Sequence, residues 1–347
     1  MKNLFRLIVT IVLTQLPVAA IAAPLRIAFG SCAHQSRAQA HWKAIIDAKP
    51  DAFIFCGDNI YSDTYDMALM KKKYGQLAAH QGFQDLKKLC PVLAVWDDHD
   101  YGLNDSGGEF PKKKESREIF LDFWGVPPNA ARRSHEGIYD ATIFGPKGRR
   151  VQIILLDTRY NRSPLKQLVK RKPGEGRYTA DRNGSSTILG EAQWLWLEEQ
   201  LAKEADIRLI VSSIQVVAQD HNWEKWMNYP HERQRLYHLI HKTKATGVVF
   251  LSGDRHHGEL CTSVPGIVGY PMYDLTASGL NMTHVGAGDE PNRHRIGPVV
   301  RQNNFGLITI DGSARDPVLT LELRTLDGKV ALQQNVPLSK LKPAASP

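Results

Sequence analysis

Six short apolar runs in this chain each stop at a polar cluster, and that repetition constrains the fold more than any other feature. "LRIAF" (Leu25–Phe29) runs into "GSCAHQ", "AFIFC" (Ala52–Cys56) into "GDNIYSD", and "PVLAVW" (Pro91–Trp96) into "DDHDYGLND". Further on, "VQIILL" (Val151–Leu156) meets "DTRYNR", "IRLIV" (Ile207–Val211) meets "SSIQ", and "GVVFL" (Gly247–Leu251) meets "SGDRHHGE". Short apolar runs bounded by turn residues read as buried strands. Helical patterns lie between them: about Gln39–Ala48, Asp66–Ala79 and Lys114–Trp124, and a segment with Trp194, Leu197 and Leu201 on one face. Near the carboxyl end, "FGLITID" (Phe305–Asp311) and "VLTLELRT" (Val318–Thr325) read as an antiparallel pair. Alternating strands and helices that finish in an antiparallel run predict a layered α/β protein with mixed sheets. Ligands in such folds sit beyond the carboxyl ends of the strands, so the six clusters are expected to converge.

The residues in the clusters suggest what they would bind. Gathered carboxylates repel one another and stay ionised only when cations neutralise them. Lysine is scarce in these clusters, which leaves bound metal as the simplest counter-charge. Aspartates suit hard ions such as calcium or magnesium. A thiolate, a phenolate and an imidazole suit a transition metal, with iron or zinc foremost. A site with both sets predicts two metals joined by a bridging carboxylate, able to clamp a phosphate and supply a hydroxide nucleophile. Each piece has a plainer reading. "GD" after a strand is a common turn, Cys32 alone a small buried hydrophobe, and Tyr61 alone a packed aromatic. His256 and His257 alone read as surface residues, and "WDDHD" as an acidic helix cap. Their concurrence at strand ends favours a metal site.

The first 22 residues are read separately. Lys2 and Arg6, an apolar run from Leu7, and Ala20-Ile21-Ala22 form the pattern of a secretory signal peptide. A retained anchor is the alternative, weakened by Gln15, Pro17 and the shortness of the run. Residues 23–347 are then expected to form one exported domain, periplasmic or secreted, without a membrane span. Removing Lys2 and Arg6 lowers the net charge from +8 to +6. That excess favours anionic ligands weakly. The basic residues are scattered and their "KKK" runs fit solvated helix faces, so nucleic-acid binding is not expected. Cys32, Cys56, Cys90 and Cys261 could pair in an exported protein, but they show no C-x-x-C spacing, so a zinc ribbon or dithiol redox motif is not supported.

"FGSC", "GDNIY", "WDDHDYGLND", "LDTR" and "SGDRHHGE" together resemble the alkaline phosphatase D-like branch of the calcineurin-like metallophosphoesterases. The resemblance runs from about Leu25 to about Asp311. It implies a four-layer α/β fold, with two mixed sheets face to face and helices outside. It also implies that Asp58 bridges two metals, that Cys32, Tyr61 and His256 complete an iron(III) site, and that Asp98 and Asp254 bind calcium. Zinc or manganese is the alternative. His99 would face the substrate phosphate, with Asp100 holding its other ring nitrogen. Arg159 and Arg255 are candidate phosphate contacts, and Asn104 is a candidate contact to phosphate or to a metal. One departure stands out: the superfamily has a further histidine ligand where this chain reads "VSSIQVV", offering Gln215, with His221 a few residues on.

The expected activity is hydrolysis of phosphate esters, mono- or diester, on a small-molecule or lipid substrate, by a monomer. The loops Pro164–Ser186 and Tyr270–Arg301 are expected to shape the pocket. Trp223, Trp226 and Tyr229 either line it or pack as an aromatic cluster. A phospholipase-like diesterase, a non-catalytic metal- or phosphate-binding protein, and an amide or carboxylic ester hydrolase are the alternatives.

Overall fold

A computed structural model of the protein describes residues 24–145, 149–171, 175–284 and 290–344. The expected signal segment, residues 1–22, lies outside them. The strands are β1 (Leu25–Gly30), β2 (Ala52–Cys56), β3 (Val92–Val95), β4 (Asp140–Phe144), β5 (Val151–Leu155), β6 (Ile207–Val211), β7 (Val248–Ser252), β8 (Gly258–Ser263), β9 (Met272–Ala277), β10 (Asn304–Asp311), β11 (Val318–Thr325) and β12 (Val330–Pro337). The helices are α1 (His41–Asp47), α2 (Met67–Ala79), α3 (Gln81–Leu89), α4 (Asp98–Tyr101), α5 (Lys113–Phe123), α6 (Glu191–Leu201) and α7 (Pro230–Lys242).

Two six-stranded mixed sheets result, ordered β12-β11-β10-β1-β2-β3 and β4-β5-β6-β7-β9-β8. β1, β2 and β3 run parallel, as do β5, β6, β7 and β9. β2, β5, β6 and β7 are buried at every residue. Both faces of these strands are covered, which is why they read as unbroken apolar runs. β12, at a sheet edge, alternates between buried and exposed positions instead.

The sheets join where β1 and β9 end. Ser31 N–H donates to Ala277 O at 3.0 Å, and Leu280 N–H donates to Ser31 O at 3.1 Å. The carboxyl ends of both parallel sets therefore open on the same side. Among the described residues, no helix is long and apolar enough to cross a membrane.

Candidate metal centre

The turns after β1, β2, β3 and β7 place the donors, and they do so with unusual backbone. Cys32, Asp58, Asp63, Asp105, Asp254 and His256 all have positive φ, between 43° and 67°. Non-glycine residues visit this left-handed region at a cost, and such strain collects at functional sites. The glycines before two of the aspartates are sterically required. A Cβ on Gly57, at φ +96°, would lie 2.5 Å from Asp97 Cβ; one on Gly253 would lie 2.6 Å from Cys56 O.

Three groupings of donors follow. Cys32, Asp58 and His256 bring ligand atoms within 4.8 Å of one another, as do Asp58, Asp98 and His99, and as do Asp97, Asp98 and Asp254. Asp58 is common to the first two and Asp98 to the last two. Tyr61 joins the first, its hydroxyl 3.2 Å from Asp58 Oδ2, with Cys32 Sγ also 3.2 Å from that oxygen. His256 Nδ1 meets the carbonyl of Met282. A carbonyl only accepts, so Nδ1 carries the proton and Nε2 is the nitrogen left for a metal.

The electrostatics fit cations. Burial raises Asp58 well above the usual carboxylate range. It raises Asp254 to about 7, with Asp98 and Glu224 adding to the rise. Burial and the Asp58 charge push the Cys32 thiol and the Tyr61 phenol upward. Burial works against Asp98 too, but His99 and Arg159 hold it below the usual range. Asp58 Oδ1 and Asp97 Oδ2 are buried with no hydrogen-bond partner. Buried anionic oxygens without donors are costly, and metal ions would satisfy them. The donor chemistry matches: soft and anionic around Cys32, Tyr61 and His256, hard around Asp97, Asp98 and Asp254.

Other sequence expectations land differently. Asp100 does not hold His99. It caps α4 and accepts from the N–H groups of Asp58 (3.1 Å), Asn59 (3.3 Å) and Asp97 (2.7 Å). It thus ties the two aspartate turns together. Asp63 holds His99 Nδ1 instead, at 2.8 Å. Arg159 is fully buried, its Nε 2.6 Å from Asp97 Oδ1 and its Nη1 2.8 Å from Glu224 Oε2. It lies behind the donors, with no surface left for a phosphate. Arg255 pairs with Asp254 at 3.3 Å and with Glu290, and stacks 5.2 Å above the Trp223 ring. Asn104 is exposed and donates to Asp105 at 2.6 Å. Gln215 binds Glu259, Thr276 and His221, and His221 enters none of the three groupings. Trp226 and Tyr229 are both buried, Trp226 edge-on to Trp194 and the Tyr229 hydroxyl on the Ser163 carbonyl, so both are packed side chains. β9 occupies part of the expected Tyr270–Arg301 loop.

Sequence reasoning missed Asp97, Asp63 and Glu224. Asp97 was visible as the first member of the aspartate pair in "WDDHD". Asp63 was visible in "GDNIYSD". Glu224 had no signal beyond its place in an aromatic segment.

Residues 27–275 match the PhoD-like phosphatase family. The fold is similar to that of PhoD, at 16% identity over 94% of this chain and 73% of that one, with a TM-score of 0.69. It is also similar to that of GAP50, the anchor in the inner membrane complex of Plasmodium. There the identity is 14%, over 91% of this chain and 89% of that one, and the TM-score is 0.56. No curated protein sequence matches the chain. With the family matched across most of its length, the chain belongs to the PhoD-like phosphatases.

Proposed function

We propose that the protein is an exported, metal-dependent phosphoesterase that hydrolyses phosphate esters. One observation carries the reading: the Asp58 carboxylate is common to the Cys32–His256 grouping and the Asp98–His99 grouping. A shared carboxylate is what a two-cation site requires. Family membership supports the same class of reaction.

Cys32, Tyr61 and His256 would hold iron(III), Asp58 would bridge, and Asp98 and Asp254 would hold calcium; zinc or manganese is the alternative pair. When bound, such cations neutralise the carboxylates and make water nucleophilic at moderate pH. The protein's own groups supply the rest. His99 gives its proton to the departing ester oxygen, held in place by Asp63. Arg255, 8% exposed, faces phosphate once Glu290 gives way. Asn104 offers an amide at the exposed rim. Asp100, by fixing the turns of Asp58 and Asp97, keeps the two halves in register.

The substrate is a small-molecule or lipid phosphate ester, and the enzyme acts as a monomer in the periplasm or outside the cell. The export reading rests on residues 1–22. The test is elemental analysis of protein purified without chelators, followed by p-nitrophenyl phosphate, bis-p-nitrophenyl phosphate and p-nitrophenyl acetate. Iron with calcium and turnover of either phosphate supports the proposal, and the ratio of the two rates decides monoester against diester. Turnover of the acetate alone would sink it.

The likeness to GAP50, named as an anchor, favours a second reading in which the fold binds without catalysis. The intact donors around Asp58 weigh against it. Bound metals with no turnover on the phosphate panel would select it.

A further inference from the structure

Glu224 touches none of the donors named above, yet it connects the two ends of the loop that carries Asp98 and His99. It is 2% exposed and comes from the segment before α7. Its Oε2 accepts from Arg159 Nη1 at 2.8 Å, and its Oε1 lies 3.0 Å from Arg162 Nε as a charge pair without hydrogen-bond alignment. Arg159 grips Asp97, the residue before Asp98. Arg162 donates to Asp105 O at 2.5 Å, and Asp105 N–H donates to Asp98 Oδ2 at 2.6 Å. One carboxylate thus braces both ends of the loop.

The charges in this group balance. Asp97 and Glu224 are acidic, Arg159 and Arg162 are basic, and all four are buried. Removing the Glu224 charge would leave two guanidinium groups facing one carboxylate behind Asp98 and Asp254. The surplus positive charge would repel a divalent cation through low-dielectric surroundings.

We propose that Glu224 is a positioning residue for the cation held by Asp98 and Asp254, acting through Arg159 and Arg162 and not by ligation. The proposal rests on the two-cation reading of the site. It predicts selectivity: loss of Glu224 should weaken the aspartate-rich position and spare the one built on Cys32, Tyr61 and His256.

The experiment measures calcium affinity and iron content of the full-length wild type, Glu224→Gln, and Glu224→Gln combined with Arg162→Met. Calcium is the probe, titrated after mild chelation, and iron is read by elemental analysis and by visible absorption. Glu224→Gln should bind calcium about 10–100-fold more weakly, the usual cost of losing a residue that supports ligands, with iron unchanged. The double variant restores charge balance and should recover part of that loss, whereas a purely structural role predicts further loss. Unchanged calcium affinity in Glu224→Gln, or a double variant weaker than the single one, overturns the proposal. If Glu224→Gln does not fold, the charge-balanced double variant must fold and bind calcium, or the proposal fails. A wild type with no calcium site overturns the two-cation reading as well, which separates that failure from this one.

Discussion

Both carboxylate oxygens of Asp63 lie 2.8 Å from Nδ1 of His99. A carboxylate only accepts, so Nδ1 carries a proton and Nε2 is left free for the site. Burial alone would lower His99, but Asp98, Asp58 and Asp63 raise it to about 11. Cations bound to Asp58 and Asp98 would cancel those two contributions, leaving Asp63 to keep the ring protonated. A raised value means that the protonated form persists above the ordinary histidine range and is lost as pH rises through the raised value. Asp63→Asn should therefore move the alkaline limb of the kcat profile to lower pH. His99→Ala should lower kcat by about 100-fold or more while both metals stay. Rate–pH profiles with elemental analysis check both outcomes. Loss of a metal in His99→Ala would place His99 among the ligands.

Cys32→Ser should abolish the visible charge-transfer absorption of an iron centre bound by thiolate and phenolate. Sulfur is the softer donor, and its replacement by a hydroxyl also weakens iron binding. The purified variant's spectrum and iron content decide the matter. An unaltered spectrum would remove Cys32 from the ligand set.

Calcium should stabilise the chelated protein more at pH 8 than at pH 5. Asp254, raised by burial to about 7 in the metal-free site, binds its proton more tightly folded than unfolded. The folded state then holds more protons between the ordinary carboxylate value and about 7, so stability falls as pH rises through that window. Asp58, raised by burial, acts in the same direction. A cation replaces the lost protons, and its stabilising effect grows with the ionised fraction. Thermal unfolding with and without calcium at the two pH values tests this. An equal gain at both would show that these carboxylates do not bind it.

Much of this arrangement was legible because burial and chemistry coincide in the chain. Strands covered on both faces must be apolar throughout, so β2, β5, β6 and β7 stand out in the sequence. The clusters ending β1, β2, β3 and β7 hold most of the grouped donors for the same topological reason. Strands at sheet edges, such as β4 and β12, bury less and carry weaker patterns. α7 hides in "PHERQRLYHLIHK", whose polar residues dilute its apolar face. The errors at the site are errors of pairing. Asp100 directly follows His99, whereas Asp63 lies 36 residues before it, and only the path of the chain decides which carboxylate reaches the ring. Glu224 lies 65 residues from its partner Arg159, a contact no local pattern announces.

Arg159 is the sharpest case of the same problem, because two roles predict opposite measurements. An arginine after a strand suits phosphate, and the sequence offers no reason to prefer anything else. The structure gives its guanidinium to Asp97 and Glu224, all three at most 2% exposed. Truncating one member of a buried ion pair leaves its partners charged and unpaired, which costs about 3–5 kcal/mol. Arg159→Met should therefore lower the unfolding free energy by about that amount in urea titration, and weaken metal binding through the loosened Asp97. A phosphate contact would instead leave stability near wild type and raise KM. An unchanged urea midpoint with a raised KM would return Arg159 to the substrate pocket.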